Sequence, residues 1–278
     1  MKNPMLLLCG FAFVVTHLIH STDISAQATA AKPASAKESA ATAKPEDTEQ
    51  WKPVPVKVLP GANPGAAPSD AIVLFDGRNL DEWVMTKDRS PARWRVDNGT
   101  LVVDKTTGNI ATKRLFKDYQ LHLEWRIPAD ITGEGQARGN SGLFLASTGS
   151  GDQGYEIQIL DSWENKTYVN GQAASVYKQA PPLVNASRKA GEWQTYDVVW
   201  TAPVFHDDGT LETPACVTAF HNGVLVQNHF RLLGETAYIG KPAYRKYDRA
   251  AIELQAHGDP SAPISFRNIW VRELDQRN

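Results

Sequence analysis

Cysteine is scarce in this sequence, and so is an excess of charge of either sign. The 278 residues include only two cysteines, and one of them, Cys9, lies in an apolar N-terminal segment. Removal of that segment would leave Cys216 without a partner, which excludes an intrachain disulfide. The formal net charge is −2 and the charges are scattered. This excludes the basic footprint of nucleic-acid binding and a polybasic patch for a membrane surface.

Long apolar runs are also missing. The run at residues 5–15 is shorter than the ~20 apolar residues that a membrane-spanning helix needs. His17, His20 and Asp23 interrupt its continuation. No membrane span is therefore expected once this segment is removed.

The chain is predicted to have three parts. Residues 1–28 combine a basic start, an apolar run and a final Ala-Gln-Ala, which is typical of a secretory signal peptide and predicts an exported protein, periplasmic or extracellular. Residues 29–68 are rich in Ala, Lys and Pro. They are predicted to form a disordered linker, because they bury too little apolar surface to offset chain entropy. Residues 69–278 have the size of a single all-β domain.

Helical periodicity is absent over any convincing length, and short alternating stretches take its place. Residues 119–127, 155–161 and 252–257 alternate apolar and polar side chains, as strands with one buried face do. Asn98-Gly99 and Asn222-Gly223 predict tight hairpins. The pattern favours an all-β fold of two packed sheets with a concave polar face, and a single closed barrel is the alternative.

Two of these strands carry an unusual polar face. Glu156 and Gln158 share one face of the first, and Glu253, Gln255 and His257 share one face of the second. A carboxyl group beside an amide can bind a hydroxylated ligand or move a proton. Two strands with Glu-x-Gln on one face therefore predict the floor of a binding site.

Further candidates lie on a third strand and on loops. His122, Glu124 and Arg126 share the polar face of residues 119–127 and are expected to face the same cavity. Asn140 is expected at the rim, and Asp161 ends its strand. The irregular segment 162–192, which contains Trp163 and Tyr168 as candidates for stacking on a sugar ring, is long enough to form a lid or a wall.

Eight short motifs follow one another along the chain. They are Leu74-Phe75-Asp76-Gly77, Leu123-Glu124-Trp125-Arg126, Gly139-Asn140-Ser141-Gly142, Tyr155-Glu156 with Gln158 and Asp161, Gly191-Glu192-Trp193, Asn222-Gly223, Leu254-Gln255 with His257-Gly258, and Phe266-Arg267-Asn268-Ile269.

In this order the motifs resemble the 3-keto-disaccharide hydrolase family, whose fold is similar to concanavalin A-like and laminin G-like jelly rolls. The resemblance covers residues 72–274. It implies a jelly-roll sandwich that acts on glycosides whose sugar has been oxidised to a ketone at carbon 3. Residues 162–189 and the enlarged loop at 203–214 depart from the family pattern, which puts the choice of substrate in doubt more than the class of reaction.

The implied reaction assigns roles to the candidates. A ketone at carbon 3 acidifies the hydrogen on carbon 2, so a base can remove it and the aglycone on carbon 1 can leave, after which water adds. Glu156 is expected to be the base and His257 the acid. Arg126, held by Glu124, is expected to stabilise the enolate. The residues expected to contact the substrate are Gln158, Asp161, Glu253, Gln255, Asn140 and His122.

Each role has a plainer alternative. Glu156 could be a surface carboxylate paired with a lysine or arginine, and His257 a simple hydrogen-bonding residue. Glu124 and Arg126 could be a charged pair on an exposed face. Asp161 could be a turn cap.

Cofactors and partners are less defined. No dense acidic loop indicates calcium and no paired histidines indicate zinc. The sequence therefore indicates no particular cofactor, and a divalent cation bound by Asp161 and Glu156 stays open. The rival function is a non-catalytic carbohydrate-binding module on the same sandwich. A third hypothesis has the domain packing against an oxidoreductase that makes the ketone, a sugar 3-dehydrogenase.

Overall fold

The computed structural model describes residues 43–274. The chain divides into two compact units between Val56 and Lys57. The described part of the first unit contains the short 3-10 helix Pro45–Thr48. Residues 1–28, the predicted signal peptide, lie outside the described residues, and no helix within the described ones is long and apolar enough to cross a membrane.

The second unit is almost entirely β-structure. Apart from the 3-10 helices Gly135–Ala137 and Val169–Gly171, its described residues form strands and loops. In chain order the strands are β1 (Ile72–Phe75), β2 (Trp83–Met85), β3 (Arg95–Asp97), β4 (Thr100–Val102), β5 (Ile110–Thr112), β6 (Tyr119–Arg126), β7 (Ser141–Ser147), β8 (Gly154–Ile159), β9 (Trp193–Thr201), β10 (Val204–Phe205), β11 (Leu211–Thr213), β12 (Cys216–His221), β13 (Val224–Arg231), β14 (Ala251–Leu254) and β15 (Ser265–Glu273).

Two antiparallel sheets dominate the described residues. The larger sheet has the order β13-β12-β9-β6-β15-β4-β3, with β1 paired to β15, and the smaller sheet has the order β2-β5-β14-β7-β8. Strands β10 and β11 form a separate ribbon. The sheets pack face to face as a jelly-roll sandwich, which confirms the predicted all-β fold.

Strand alternation fills the space between the sheets. In the larger sheet Leu123 and Trp125 of β6 have no exposed surface, and in the smaller sheet Tyr155 and Ile157 of β8 have none. All four belong to one hydrophobic core. Burying a large apolar side chain contributes roughly 1.5–3 kcal/mol, so this core holds the fold together without a disulfide.

Both predicted hairpins are present. β3 pairs with β4 around Asn98-Gly99, and β12 pairs with β13 around Asn222-Gly223. Asn98 and Gly99 have φ values of 49° and 73°, and Asn222 and Gly223 have 52° and 79°. Two successive positive φ values define the turn that matches the twist of the paired strands, which is why Asn-Gly stands at both places.

The free edge of β8 is covered by the irregular segment that follows it. The Gln158 N–H donates to Ser175 O at 3.0 Å, and the Tyr177 N–H donates to Glu156 O at 3.1 Å. This pairing protects an edge that would otherwise expose its backbone groups. It also brings Tyr177 and its neighbours beside the polar face of β8.

The second unit begins before Ser69, where the folded domain was expected to start. Gly65 O accepts hydrogen bonds from Asn268 Nδ2 at 2.9 Å and from Trp270 Nε1 at 2.8 Å. Gly65 has a φ of 81°, and a Cβ at this position would lie 3.1 Å from the His122 ring. Gly65, which belongs to the predicted linker, therefore lies against the larger sheet.

Candidate active site

A cavity of about 700 Å³ opens on the face of the smaller sheet that points away from the core. Its floor is formed by Glu156 and Gln158 of β8 and by Gln255, which follows β14. The intervening residues of both strands enter the core, so these polar side chains must point outwards. Loops supply the walls, which include Asn140, Asp152, Tyr168, Tyr177, Lys178, Tyr238 and His257.

Glu156 is enclosed although it lines the cavity. It is 4% exposed, and no group in residues 43–274 donates a hydrogen bond to its carboxyl oxygens. Burial, and then the charges of Asp152 and Glu253, raises the pKa of Glu156 well above its ordinary value. It is therefore not a surface carboxylate with a basic partner, and its surroundings favour the protonated form.

An amide network stands beside it. Gln158 Nε2 donates to Asn140 Oδ1 at 3.0 Å, and Asn140 Nδ2 donates to Gln136 O at 2.8 Å. Gln255 Oε1 is buried and accepts no hydrogen bond from the residues that the structure describes. A buried amide oxygen without a donor is costly, and a ligand hydroxyl in the cavity could supply the donor.

His257 is oriented by a carboxylate. Its Nδ1 lies 3.0 Å from Asp259 Oδ2, and Asp259 also binds Lys105 Nζ at 2.9 Å and the Ser261 hydroxyl. Burial would raise the pKa of Asp259, but hydrogen bonds from His257, Ser261 and Lys105 outweigh it and hold that pKa well below its ordinary value. The Asp259 N–H also lies 3.2 Å from Nδ1, and Asn140 Nδ2 lies 3.5 Å from Nε2. In the tautomer with its proton on Nδ1, the ring donates to the Asp259 carboxylate and Nε2 is the acceptor.

The sequence identifies the family of the chain. The family described as 3-keto-alpha-glucoside-1,2-lyase-like domain matches residues 70–272. The chain belongs to this family. No curated protein matches the sequence.

Two solved structures are similar to this chain. A protein of Parabacteroides distasonis, provisionally named a glycosyl hydrolase, is 50% identical with a TM-score of 0.77, over 83% of this chain and 97% of that one. A second such protein of the same organism is 20% identical with a TM-score of 0.54, over 74% of this chain and 94% of that one. At that identity the second likeness shows the fold alone.

Glu253 lies beside the cavity of this lyase-like domain and is not among the residues that line it. It has no exposed surface, and it accepts hydrogen bonds from Asn109 Nδ2 at 2.7 Å and from the Ser147 hydroxyl. Burial raises the pKa of Glu253 to about 8, although these two hydrogen bonds act in the opposite direction. Phe144 of β7 pairs with Glu253 on one side and with Glu156 on the other, so the two buried carboxyl groups flank one strand.

The carboxylate of Asp161 accepts hydrogen bonds from residues of the surrounding loops. Arg138 Nε donates to Asp161 Oδ2 at 2.6 Å, and the Trp163 N–H donates to Asp161 Oδ1 at 3.4 Å. Asp161 is 3% exposed and does not line the cavity. Among the described residues no three His, Cys, Asp or Glu side chains are grouped to hold a metal ion.

The expectation that a third strand faces the cavity is wrong. β6, which carries His122, Glu124 and Arg126, belongs to the larger sheet, between β9 and β15. Its apolar residues fill the core from the other side, so its polar face lies on the opposite surface of the sandwich. Alternation predicts which residues share a face, but not which sheet a strand joins.

Glu124 and Arg126 of β6 do not form the expected ion pair. Arg267 Nε donates to Glu124 Oε2 at 2.6 Å, whereas the Arg126 guanidinium lies 4.5 Å from the centre of the Trp193 ring. Arg126 is thus a surface cation packed on an aromatic ring, and Glu124 does not hold it.

The sequence patterns missed several residues of the cavity. Tyr177 and Lys178 lie in the irregular segment, where no periodicity predicts direction, and the Tyr177 hydroxyl lies 2.6 Å from that of Tyr168. Tyr238 comes from the loop before β14 and Asp152 from the loop between β7 and β8. One sequence signal could have predicted a further residue of the site: Asp259 is a carboxylate two residues after the candidate histidine His257.

Proposed function

We propose that this protein cleaves glycosides whose sugar carries a ketone at carbon 3, by elimination followed by addition of water. The family description and the name of the 50% identical relative support a glycoside-acting enzyme. The observation that carries the proposal is that one cavity holds both Glu156 and His257. Glu156 is a buried carboxyl group to which no described residue donates a hydrogen bond, and His257 is a histidine oriented by Asp259.

The electrostatics favour the reverse of the roles that the sequence suggested. The raised pKa of Glu156 favours its protonated form, which is the form that can donate a proton to a leaving group. His257 has Asp259 at Nδ1, so Nε2 is suited to accept a proton. We therefore assign His257 as the base and Glu156 as the acid.

The elimination then proceeds with every proton accounted for. His257 takes the proton from carbon 2, and the electron pair of that bond forms a double bond to carbon 3 while the ketone oxygen becomes an enolate. When the ketone re-forms, the double bond moves between carbons 1 and 2, and the bond to the aglycone oxygen breaks. Glu156 gives its proton to that oxygen. Glu156, now ionised, takes a proton from the water whose hydroxyl adds to carbon 1. His257, whose proton exchanges with solvent, returns a proton to carbon 2, so both residues are restored and the free 3-keto sugar is released.

The amides of the floor hold the sugar in this scheme. Gln255 Oε1 gains a hydroxyl donor that none of the described residues supplies. Gln158 and Asn140, already fixed to one another, contact neighbouring hydroxyls. Fixed polar groups of this kind orient a ligand without the cost of rearranging on binding.

The test is turnover of a 3-keto-disaccharide by the purified protein, beside the same disaccharide without the ketone. We expect free 3-keto sugar from the first and no cleavage of the second, with and without a chelator, which decides the open question of a divalent cation. Binding without release would instead show a carbohydrate-binding module, and cleavage of both disaccharides would show an ordinary glycosidase.

Two related proposals concern the source of the substrate and the export of the protein. The ketone must come from oxidation of a hydroxyl at carbon 3, so a sugar 3-dehydrogenase is the expected supplier of the substrate. Export is proposed from residues 1–28. N-terminal sequencing of the mature protein should begin at Thr29, and a mature chain beginning at Met1 would contradict it.

A further inference from the structure

Lys178 is the only lysine or arginine among the described residues that line the cavity. Its Nζ lies 4.9 Å from the centre of the Tyr168 ring and 4.8 Å from that of Tyr238. No carboxylate in residues 43–274 forms an ion pair with it. Two aromatic faces hold the ammonium group in place while leaving its charge available.

The backbone of Lys178 is also unusual. Its φ is 63°, in the left-handed region that a lysine seldom occupies. A hydrogen bond from its N–H to Asn170 O at 2.8 Å maintains this conformation. Strain of this kind often marks a residue whose side chain must point in one direction.

The other nearby cations are already used. Arg138 binds Asp161, Lys105 binds Asp259, and Arg126 lies on the opposite surface of the sandwich. The elimination creates negative charge on the ketone oxygen, and that charge needs a cation or hydrogen-bond donor. Lys178 can supply both.

We propose that Lys178 is a catalytic residue that stabilises the enolate oxygen of a 3-keto sugar, an inference that rests on the proposed function. As His257 removes the proton from carbon 2, the carbonyl electron pair moves onto the ketone oxygen. The ammonium group of Lys178 donates a hydrogen bond to that oxygen and stays protonated throughout. A methionine has similar length but no charge, so Lys178→Met isolates the effect.

The experiment uses a 3-keto sugar analogue that lacks a leaving group at carbon 1. In D₂O, NMR follows exchange of the hydrogen on carbon 2, which reports enolate formation without cleavage. We expect the wild type to catalyse this exchange at saturating analogue, and Lys178→Met to lower the rate ~10²–10³-fold, the usual cost of removing one such donor. Lys178→Arg should recover part of the loss.

Lys189→Met is the matched control. Lys189 Nζ also lies over an aromatic ring, 5.8 Å from the centre of Trp163, but the residue does not line the cavity. The Lys189→Met variant should catalyse exchange of the hydrogen on carbon 2 at the wild-type rate. Circular dichroism of each variant checks folding, and Lys178→Gln replaces a methionine variant that does not fold.

The two hypotheses fail in different ways. A wild type that neither exchanges the analogue nor cleaves a 3-keto-disaccharide overturns the proposed function. A wild type that does both, with Lys178→Met exchanging at an unchanged saturated rate, overturns the role of Lys178 alone, whether or not the variant binds the analogue more weakly.

Discussion

The carboxyl group of Glu156 lies against the bare Cα of Gly142 on the neighbouring strand. A Cβ built at Gly142 would stand 2.5 Å from Glu156 Oε1 and 3.1 Å from the Phe144 ring. Gly142 pairs with Gln158 in the register of β7 and β8, so the missing side chain leaves a space on the outer face. The Glu156 carboxyl group occupies that space, and no group within residues 43–274 donates a hydrogen bond to it.

Gly142→Ala should therefore displace the acid. We expect turnover of a 3-keto-disaccharide to fall by about 10²-fold, because small displacements of a reacting group are costly. Overpacking should lower the free energy of unfolding by ~1–3 kcal/mol. Steady-state kinetics and urea unfolding measure the two effects.

The double variant Gly142→Ala with Glu156→Gln supplies the control. If Gly142 acts through Glu156, the alanine should add little to the loss of activity caused by the glutamine. Full additivity of the two losses would mean that Gly142 affects the cavity by another route.

Glu156→Gln and His257→Ala should separate the acid from the base. On the analogue without a leaving group, Glu156→Gln should keep the exchange at carbon 2, because no aglycone needs a proton, whereas His257→Ala should lose it by ~10²–10⁴-fold. Both variants should lose cleavage of the disaccharide. The opposite pattern in exchange would restore Glu156 as the base.

Glu253 should make the stability of the fold depend on pH. Its pKa is about 8 in the folded protein against an ordinary value of 4.5, so between these values the folded chain holds a proton that the unfolded chain has released. Stability is then complete below pH ~4.5 and falls as pH rises through 8, by up to ~1.4 kcal/mol per pH unit.

Urea unfolding of the wild type and of Glu253→Gln at pH 5.5, 7 and 8.5 checks this. The glutamine resembles the protonated carboxyl group, so its stability should decline less with pH and exceed that of the wild type at pH 8.5. Parallel declines in the two proteins would show that Glu253 is ionised in the fold.

Arg126 distinguishes the structure from the sequence-based assignment. Arg126→Ala should leave turnover unchanged, because the residue lies on the larger sheet, and should cost about 0.5–1 kcal/mol of stability through its contact with Trp193. A loss of turnover comparable to that of His257→Ala would show that Arg126 of β6 acts in the active site.

The sequence predicts the features that depend on neighbouring residues along the chain. Asn98-Gly99 predicts its hairpin because asparagine and glycine tolerate the positive φ that the turn needs. Alternation correctly predicts that Glu156 and Gln158 leave the core together. These features depend on neighbours along the chain, which a sequence displays.

What depends on distant packing could not be read in the same way. Glu156 and Glu253 stand in the same Glu-x-Gln pattern, yet one lines the cavity and the other is covered by Asn109 and Ser147. Lys178 comes from a segment whose path is set by pairing with the edge of β8. Periodicity carries no information on either.

The most direct test of elimination in the cavity is the position of solvent deuterium in the released sugar. The wild type should be given a 3-keto-disaccharide in D₂O and the product analysed by NMR at early times, beside free product incubated for the same time with and without the protein. Elimination and hydration predict one deuterium at carbon 2 of the released 3-keto sugar. Release of a sugar with only protium at carbon 2 would contradict it.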